Sequence, residues 1–293
     1  MAVKYKRMSL RDRNEAKLGW KLVAPTVIII SALIIYPIFY NIYLSFFKVS
    51  LVKGNTFVGL KNYIAILSDS SFWSSFFVTL MFTLLTVIGS ILLGLGVALL
   101  MNRKFPGRTF VRALILLPYV TPLIAIVFSW KYIFLPVDGP LMRLLGELHI
   151  MDPGVDFINN PNNAFWVVVI FNIWRNFPFV YLMILARLQS IPSTYYEAAE
   201  MDGAKDFQKF WYVTLPELYF VIGSIALLRG IWNFYKFDEV YLMSKVANTL
   251  PIYMYNKAFS GVPQQGVAAS IATMLFIVMS VFIGLYVKKV LKW

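Results

Sequence analysis

The sequence predicts an all-α polytopic membrane protein with six transmembrane helices, on three observations. Hydrophobic residues make up 59% of the 293-residue chain and charged residues only 14%, a balance far from that of a soluble domain. Six apolar stretches, 22–47, 72–101, 113–135, 164–186, 218–237 and 266–287, each reach the roughly 20 residues that cross a hydrocarbon core of about 30 Å. Basic residues alternate between the two sets of connections. The segment before the first stretch, loop 103–112, segment 187–209 and the end of the chain hold seventeen of the 27 lysines and arginines, and the opposite loops hold eight. Lysine and arginine accumulate on the cytoplasmic side, so both termini and segment 187–209 are expected there.

Residues 1–21 read as a charged cytoplasmic tail and 22–293 as one six-span domain. The first apolar run has no small-residue cleavage pattern after it and is expected to be a retained span. Gly89, Gly94, Gly96 and Ala98 give the second span small residues for close helix packing. Pro37, Pro122 and Pro178 fall inside the first, third and fourth spans and are expected to bend or break them. The outer loop 137–163 is the longest external connection and carries a short amphipathic run at 141–148.

The fourth and fifth spans each contain an arginine, Arg175 and Arg229. An arginine at the bilayer centre costs about 2.5 to 3.5 kcal/mol on insertion scales, so each is expected to face the bundle interior or a watery cavity. Asn172, Trp174 and Asn176 surround Arg175, while Arg229, Trp232, Asn233 and Lys236 recur at intervals of three and four, with Tyr235 beside them. Amide and guanidinium groups can bond hydroxyls and indoles offer flat apolar faces, as a polar ring-shaped solute requires. The alternative is that these residues hold helices together, with an arginine paired to carbonyls or to Asp238 and Glu239.

The chain has no cysteine and a single histidine, His149, in an outer loop, which leaves neither a disulfide framework nor a histidine-based metal or nucleophile site. No GxxxxGK followed by serine or threonine occurs, so nucleotide is not held here by a P-loop. No carboxylate stands mid-span, against a proton-coupled pump. The net charge of +13 reports topology and contact with anionic lipid rather than nucleic acid.

Segment 188–216 is polar and tightly patterned, with YEAAEMDGAKDFQKFWYVTLP running from Tyr196 to Pro216. Thr194-x-x-Glu197 has capping-box spacing, Gly203 can take the left-handed turn that ends a helix, and Lys205 to Tyr212 reads as a second short helix that Pro216 stops. Ala198 and Ala199 would let another protein approach the backbone, making Glu197 either a cap or a knob for a partner.

That segment resembles the cytoplasmic coupling loop, the EAA motif, of membrane subunits of ATP-driven importers. YPIFYNIYLSF at Tyr36, FVGLKNY at Phe57, FNIWRNFPF at Phe171, LQSIPSTYYEAAEMDGA at Leu188 and IWNFYKFDEVYL at Ile231 extend the resemblance to permease subunits of carbohydrate-importing ABC transporters, of the maltose and glycerol-3-phosphate type. The last stretch is similar to the maltose-contacting subtype, although only a six-span core is present and Val213 stands where isoleucine is common. The resemblance implies a second homologous permease subunit, two ATPase subunits that carry ATP and Mg while this chain holds no cofactor and is no enzyme, an extracytoplasmic solute-binding protein, and a sugar or oligosaccharide substrate, with an anionic one as the alternative. It implies ATPase coupling by Glu197, Ala198, Ala199, Asp202 and Gly203, and substrate contact by Asn172, Trp174, Asn176, Arg229, Trp232, Asn233 and Tyr235. A secondary transporter or membrane-embedded enzyme is the reading from another class.

Overall fold

The helices of this chain meet proline in three ways: a break, a widened turn, or no interruption. The computed structural model describes residues 10–49 and 54–291. Its first helix, α1 (Leu10–Ile30), passes through a π-helical turn, Ser31–Ile35, into α2 (Tyr36–Ser45). The helix thus starts inside the stretch expected to be a tail, of which residues 1–9 lie outside the described residues. Pro37 sits in the first turn of α2 and has no N–H to donate. The wider turn before it, where Tyr36 N–H reaches back five residues to Ser31 O, absorbs the ring without breaking the helix.

A two-stranded antiparallel ribbon, β1 (Phe47–Lys48) with β2 (Thr56–Phe57), and α3 (Lys61–Leu67) follow. With Lys257–Leu275 they form one compact unit together with the preceding residues. Here Asn62 Nδ2 donates to Ser45 O at 2.8 Å and to Phe47 O at 3.0 Å, and Asn41 Nδ2 to Ala269 O at 3.2 Å. Gly266 packs against the Phe47 carbonyl so closely that a Cβ would overlap it.

The second unit holds Asp69–Asn256 and the residues from Phe276 onward. Its long helices are α4 (Ser70–Asn102), capped by Asp69, whose Oδ1 accepts from Ser71 N at 2.9 Å, and α8 (Pro161–Ser190), capped by Asn160. They pack along their lengths: a Cβ on Gly89 would strike Ile173, and one on Gly94 would lie 2.7 Å from Val180 Cγ1. Between them in sequence come α5 (Arg108–Val120), α6 (Leu123–Ile133) and α7 (Pro140–Glu147). The expected third span is α5 and α6, bent by 93° at Thr121-Pro122. Among the described residues five helices are each long and apolar enough to cross a membrane, and the number is six when this broken pair is taken as one span.

After α8 come α9 (Ser193–Met201) and α10 (Asp206–Lys209), then a second π-helical turn, Phe210–Thr214, leading into α11 (Leu215–Phe234). Pro216 therefore does not stop the helix as expected. The widened turn before it, closed by Leu215 N–H on Phe210 O, repeats the device seen at Pro37. Helices α12 (Asp238–Met243), α13 (Leu250–Phe259) and α14 (Gln265–Tyr286) follow, the last running into a third π-helical turn, Val287–Leu291. Pro178 lies within an unbroken α8. Two apolar clusters flank that helix, one around Phe171, Val168, Val127 and Met243 towards its start, and one around Ile184, Leu188, Leu218 and Ala98 towards its end.

Candidate functional site

Segment 188–216 contains a helix, a glycine turn and a second helix, as the sequence implied, but its start is built differently. Pro192 occupies the N-cap in an extended conformation and α9 begins at Ser193, so Thr194 is already helical and makes no cap bond. The expected Thr194–Glu197 box is therefore not formed, and Glu197 projects into the exposed surface with Ala198 while Ala199 is half-buried. The reach-back bond occurs instead at α10, where Lys205 N–H donates to Gln208 Oε1 at 2.8 Å.

Gly203 ends α9 at φ +77°. Ala204 N–H donates to Ala199 O at 2.9 Å and Gly203 N–H to Glu200 O at 3.0 Å, the paired bonds of a Schellman motif. Space around the glycine is open, since nothing lies within 4 Å of where a Cβ would stand. The backbone conformation alone demands glycine.

Two links missed at the sequence level hold the loop in shape. Lys209 Nζ lies 2.8 Å from Glu200 Oε1 and 2.9 Å from Asp206 Oδ1, stapling α10 to α9; the Asp206 and Glu200 carboxylates push its pKa up to about 12, and hydrogen bonding to Lys209 holds the Asp206 carboxyl below its usual value. Tyr196 Oη meets Thr214 Oγ1 at 3.0 Å. Behind the loop, Arg187 at the end of α8 pairs with the Glu217 carboxylate and donates to the Glu217 backbone carbonyl. The Asp206–Lys209 spacing of three was a legible signal; the longer links depend on how the chain folds back. The same surface exposes Met201, Phe207 and Tyr212, each by more than 70%, the kind of apolar patch that marks an interaction surface.

In the spans, the predicted residues separate into three environments. Arg229 and Asn233 are almost completely buried, with Arg229 Nη2 donating to Asn233 Oδ1 at 3.2 Å and Asn233 Nδ2 to Thr86 Oγ1 on α4 at 2.8 Å. Asn172 and Asn176 are likewise buried; Asn172 Nδ2 donates to Val168 O and Asn176 Nδ2 to Asn172 O. Asn172 Oδ1 and Arg229 Nε have no protein partner among the described residues. Trp232 and Tyr235 turn outward, 45% and 41% exposed, with Trp232 against Phe179 and under the Arg229 guanidinium. The interval rule thus does not place Arg229, Trp232 and Asn233 in one environment: 232 lies on the flank of the helix, 229 and 233 on its packed side.

Trp174 belongs to the third environment, a cleft of about 560 Å3 in the crook of the broken span. Its indole lies 5.3 Å from that of Trp130, with Thr121, Ser129 and Phe134 beside them. Trp130 was passed over because a tryptophan near a span end usually anchors the interface. Arg175 secures the break. Its Nη1 donates to Thr121 O at 3.3 Å, the carbonyl at the helix end, and its Nε to Glu239 Oε1 at 3.2 Å. Lys236 Nζ stands 3.0 Å from the other Glu239 oxygen, so one carboxylate answers both Arg175 and Lys236. Among the described residues no group of three or more acidic, histidine or cysteine side chains could hold a metal.

The chain is 41% identical over 282 residues to the inner membrane ABC transporter permease protein YcjO of Escherichia coli K12, covering 95% of this chain and 96% of that one. It is 31% identical to the trehalose/maltose transport system permease protein MalF of Thermococcus litoralis, with 94% of each covered, and 35% identical to the sulfoquinovosyl glycerol transport system permease protein SmoG of Agrobacterium fabrum, covering 90% and 87%. The fold matches a chain of the bacterial alginate ABC transporter, solved with its oligosaccharide-bound periplasmic protein, at a TM-score of 0.80 over 94% of each chain and 18% identity. Residues 90–292 match the family described as binding-protein-dependent transport system inner membrane component, and the chain belongs to that family.

Proposed function

We propose that this chain is the permease subunit of an ATP-driven, binding-protein-dependent importer of a sugar or oligosaccharide and forms half of the translocation pathway. The observation that carries the substrate class is the paired indoles of Trp130 and Trp174 in the cleft at the α5–α6 break. They offer C–H stacking faces beside the hydroxyls of Thr121 and Ser129, and relatives are named for trehalose and maltose transport. Glu197, Ala198, Ala199, Asp202 and Gly203 dock the ATPase. Asn172, Asn176, Arg229 and Asn233 shape the polar core behind the pathway, with Trp174, Trp232 and Tyr235 at its surface.

The machine comprises this subunit, a second homologous permease, two ATPase subunits that bind ATP and Mg, and an external solute-binding protein. Both termini and the coupling loop face the cytoplasm. Hydrolysis on the partners drives the loop between two states of the spans, and this chain performs no catalysis. The test is uptake by the complete complex in liposomes, with labelled trehalose, maltose and longer glucosides in competition. Saturable uptake of one of them that needs ATP, and that falls at least tenfold in Trp130→Ala and Trp174→Ala while basal ATP hydrolysis persists, is the expected result. Uptake driven by an ion gradient without the ATPases, or sugar transport indifferent to both substitutions, would overturn it.

A further inference from the structure

A second cavity, of about 390 Å3, opens between α6 and α12, near the end of α8 remote from the coupling loop. Lys131 and Lys245 line it. Lys131 Nζ stands 5.9 Å from the Phe128 ring centroid and Lys245 Nζ 5.2 Å from that of Tyr241. Neither ammonium has a carboxylate within ion-pair distance among the described residues. None of the residues lining the cavity is acidic, and the lining residue Asn159 is bonded to Asp156. The Asp156 carboxylate is occupied by the backbone N–H groups of Ile158 and Asn159 and by Asn159 Nδ2, all within 3.0 Å, and the Asn159 bonds hold its pKa below the usual value. Two cations thus share one concavity with no ion-pair partner among the described residues.

The rest of the wall says what kind of anion fits. Ile124, Phe128 and Lys131 fall at intervals of four and three on one face of α6, and Ile124 and Phe128 are each 62% exposed. The cavity therefore continues into an exposed hydrocarbon strip, with Lys131 in the last turn of α6 and Lys245 just beyond α12, placed as long side chains that reach the headgroup layer are. A small soluble anion would leave that strip uncovered; a molecule with a charged head and an apolar tail covers both.

We propose that this cavity is a binding site for an anionic phospholipid, its phosphate held between Lys131 and Lys245 and an acyl chain lying along Phe128 and Ile124. The proposal rests on the membrane-spanning fold and is independent of the transported substrate.

The experiment is lipid retention by the intact transporter complex, extracted in mild detergent, exchanged with phosphatidylglycerol or phosphatidylcholine and read by native mass spectrometry. Phosphatidylglycerol should be retained in preference. In the double substitution Lys131→Gln with Lys245→Gln its affinity should drop about thirty-fold, at about fivefold per lysine near a membrane surface. Lys131→Arg with Lys245→Arg should restore it and controls for folding. Equal retention of the two lipids, or retention unchanged in the glutamine variant, overturns the proposal. So does displacement of the lipid by inorganic phosphate at millimolar concentration, which would mark a soluble-anion site. Loss of solute-binding-protein docking in the glutamine variant with lipid retention intact would instead make this a protein interface, and would equally overturn it.

Discussion

Gly203 concentrates the coupling loop's requirement in one backbone torsion. At φ +77° a β-branched residue pays of the order of 1–2 kcal/mol or more, and because space around it is open the penalty is conformational rather than a clash. Gly203→Val should uncouple substrate-stimulated ATP hydrolysis while the subunit still inserts, whereas Gly203→Asn, which tolerates the left-handed region, should keep most of it. Normal coupling in the valine variant, measured on purified complex, would remove the docking assignment. The polar span residues allow a similar separation. Asn233 bonds both Arg229 and Thr86, so Asn233→Leu leaves a buried guanidinium short of a partner and should cost about 1–3 kcal/mol, lowering thermal stability. Trp232→Ala removes a half-exposed ring and should spare stability while lowering uptake. If the two variants lose stability equally, the division between packed and exposed flanks of α11 is wrong. Sequence spacing could place 229, 232 and 233 within one arc of a helix, but which part of that arc met Thr86 depended on α4, more than a hundred residues away.

At the scale of elements, prolines and hydrophobic runs were legible and their outcomes only partly so. The six apolar stretches and the break at Pro122 follow from composition and from proline's missing N–H. That Pro37 and Pro216 would be absorbed by π-helical turns does not, because a proline can break, kink or widen a helix, and the neighbours that satisfy its freed carbonyl choose among these. The staple between α9 and α10 makes its own prediction. Lys209, raised from 10.5 to about 12, contributes fully below its ordinary value and loses that contribution only as pH climbs through 12. Asp206, lowered, contributes above its ordinary value of 3.8 and loses it only as pH falls. Hydrogen-exchange protection of residues 199–209, corrected for intrinsic rate, should therefore be flat from pH 5 to 9, and Lys209→Ala should lower it throughout. A step in protection within that window would show that other groups hold the turn.

For the whole molecule, the proposed assembly makes a prediction about the number of partners. The proposed pair of ATPases would need two such loops, of which this chain supplies one, and the α1–α2 helix carries exposed apolar side chains such as Leu22, Leu33 and Phe39. Expressed without its second permease the subunit should be unstable or inactive, and pull-down from the native membrane should recover a different permease chain alongside it. ATP-driven uptake by a complex with two copies of this chain and no other permease would contradict that.

The glycine notches of α4 decide how such a machine can transmit force. With Ile173 and Val180 of α8 seated where a Cβ would otherwise stand, the two helices cannot slide past each other without side chains climbing onto backbone, and interlocked surfaces of this kind resist shear far more than they resist rotation as a pair. A stroke delivered at the C-terminal end of α8, through Arg187 and Glu217, should therefore travel its 30 residues, about 45 Å, as the tilt of a rigid lever rather than the compression of a spring. The crook of the broken span, tied to that lever by Arg175, would swing with it.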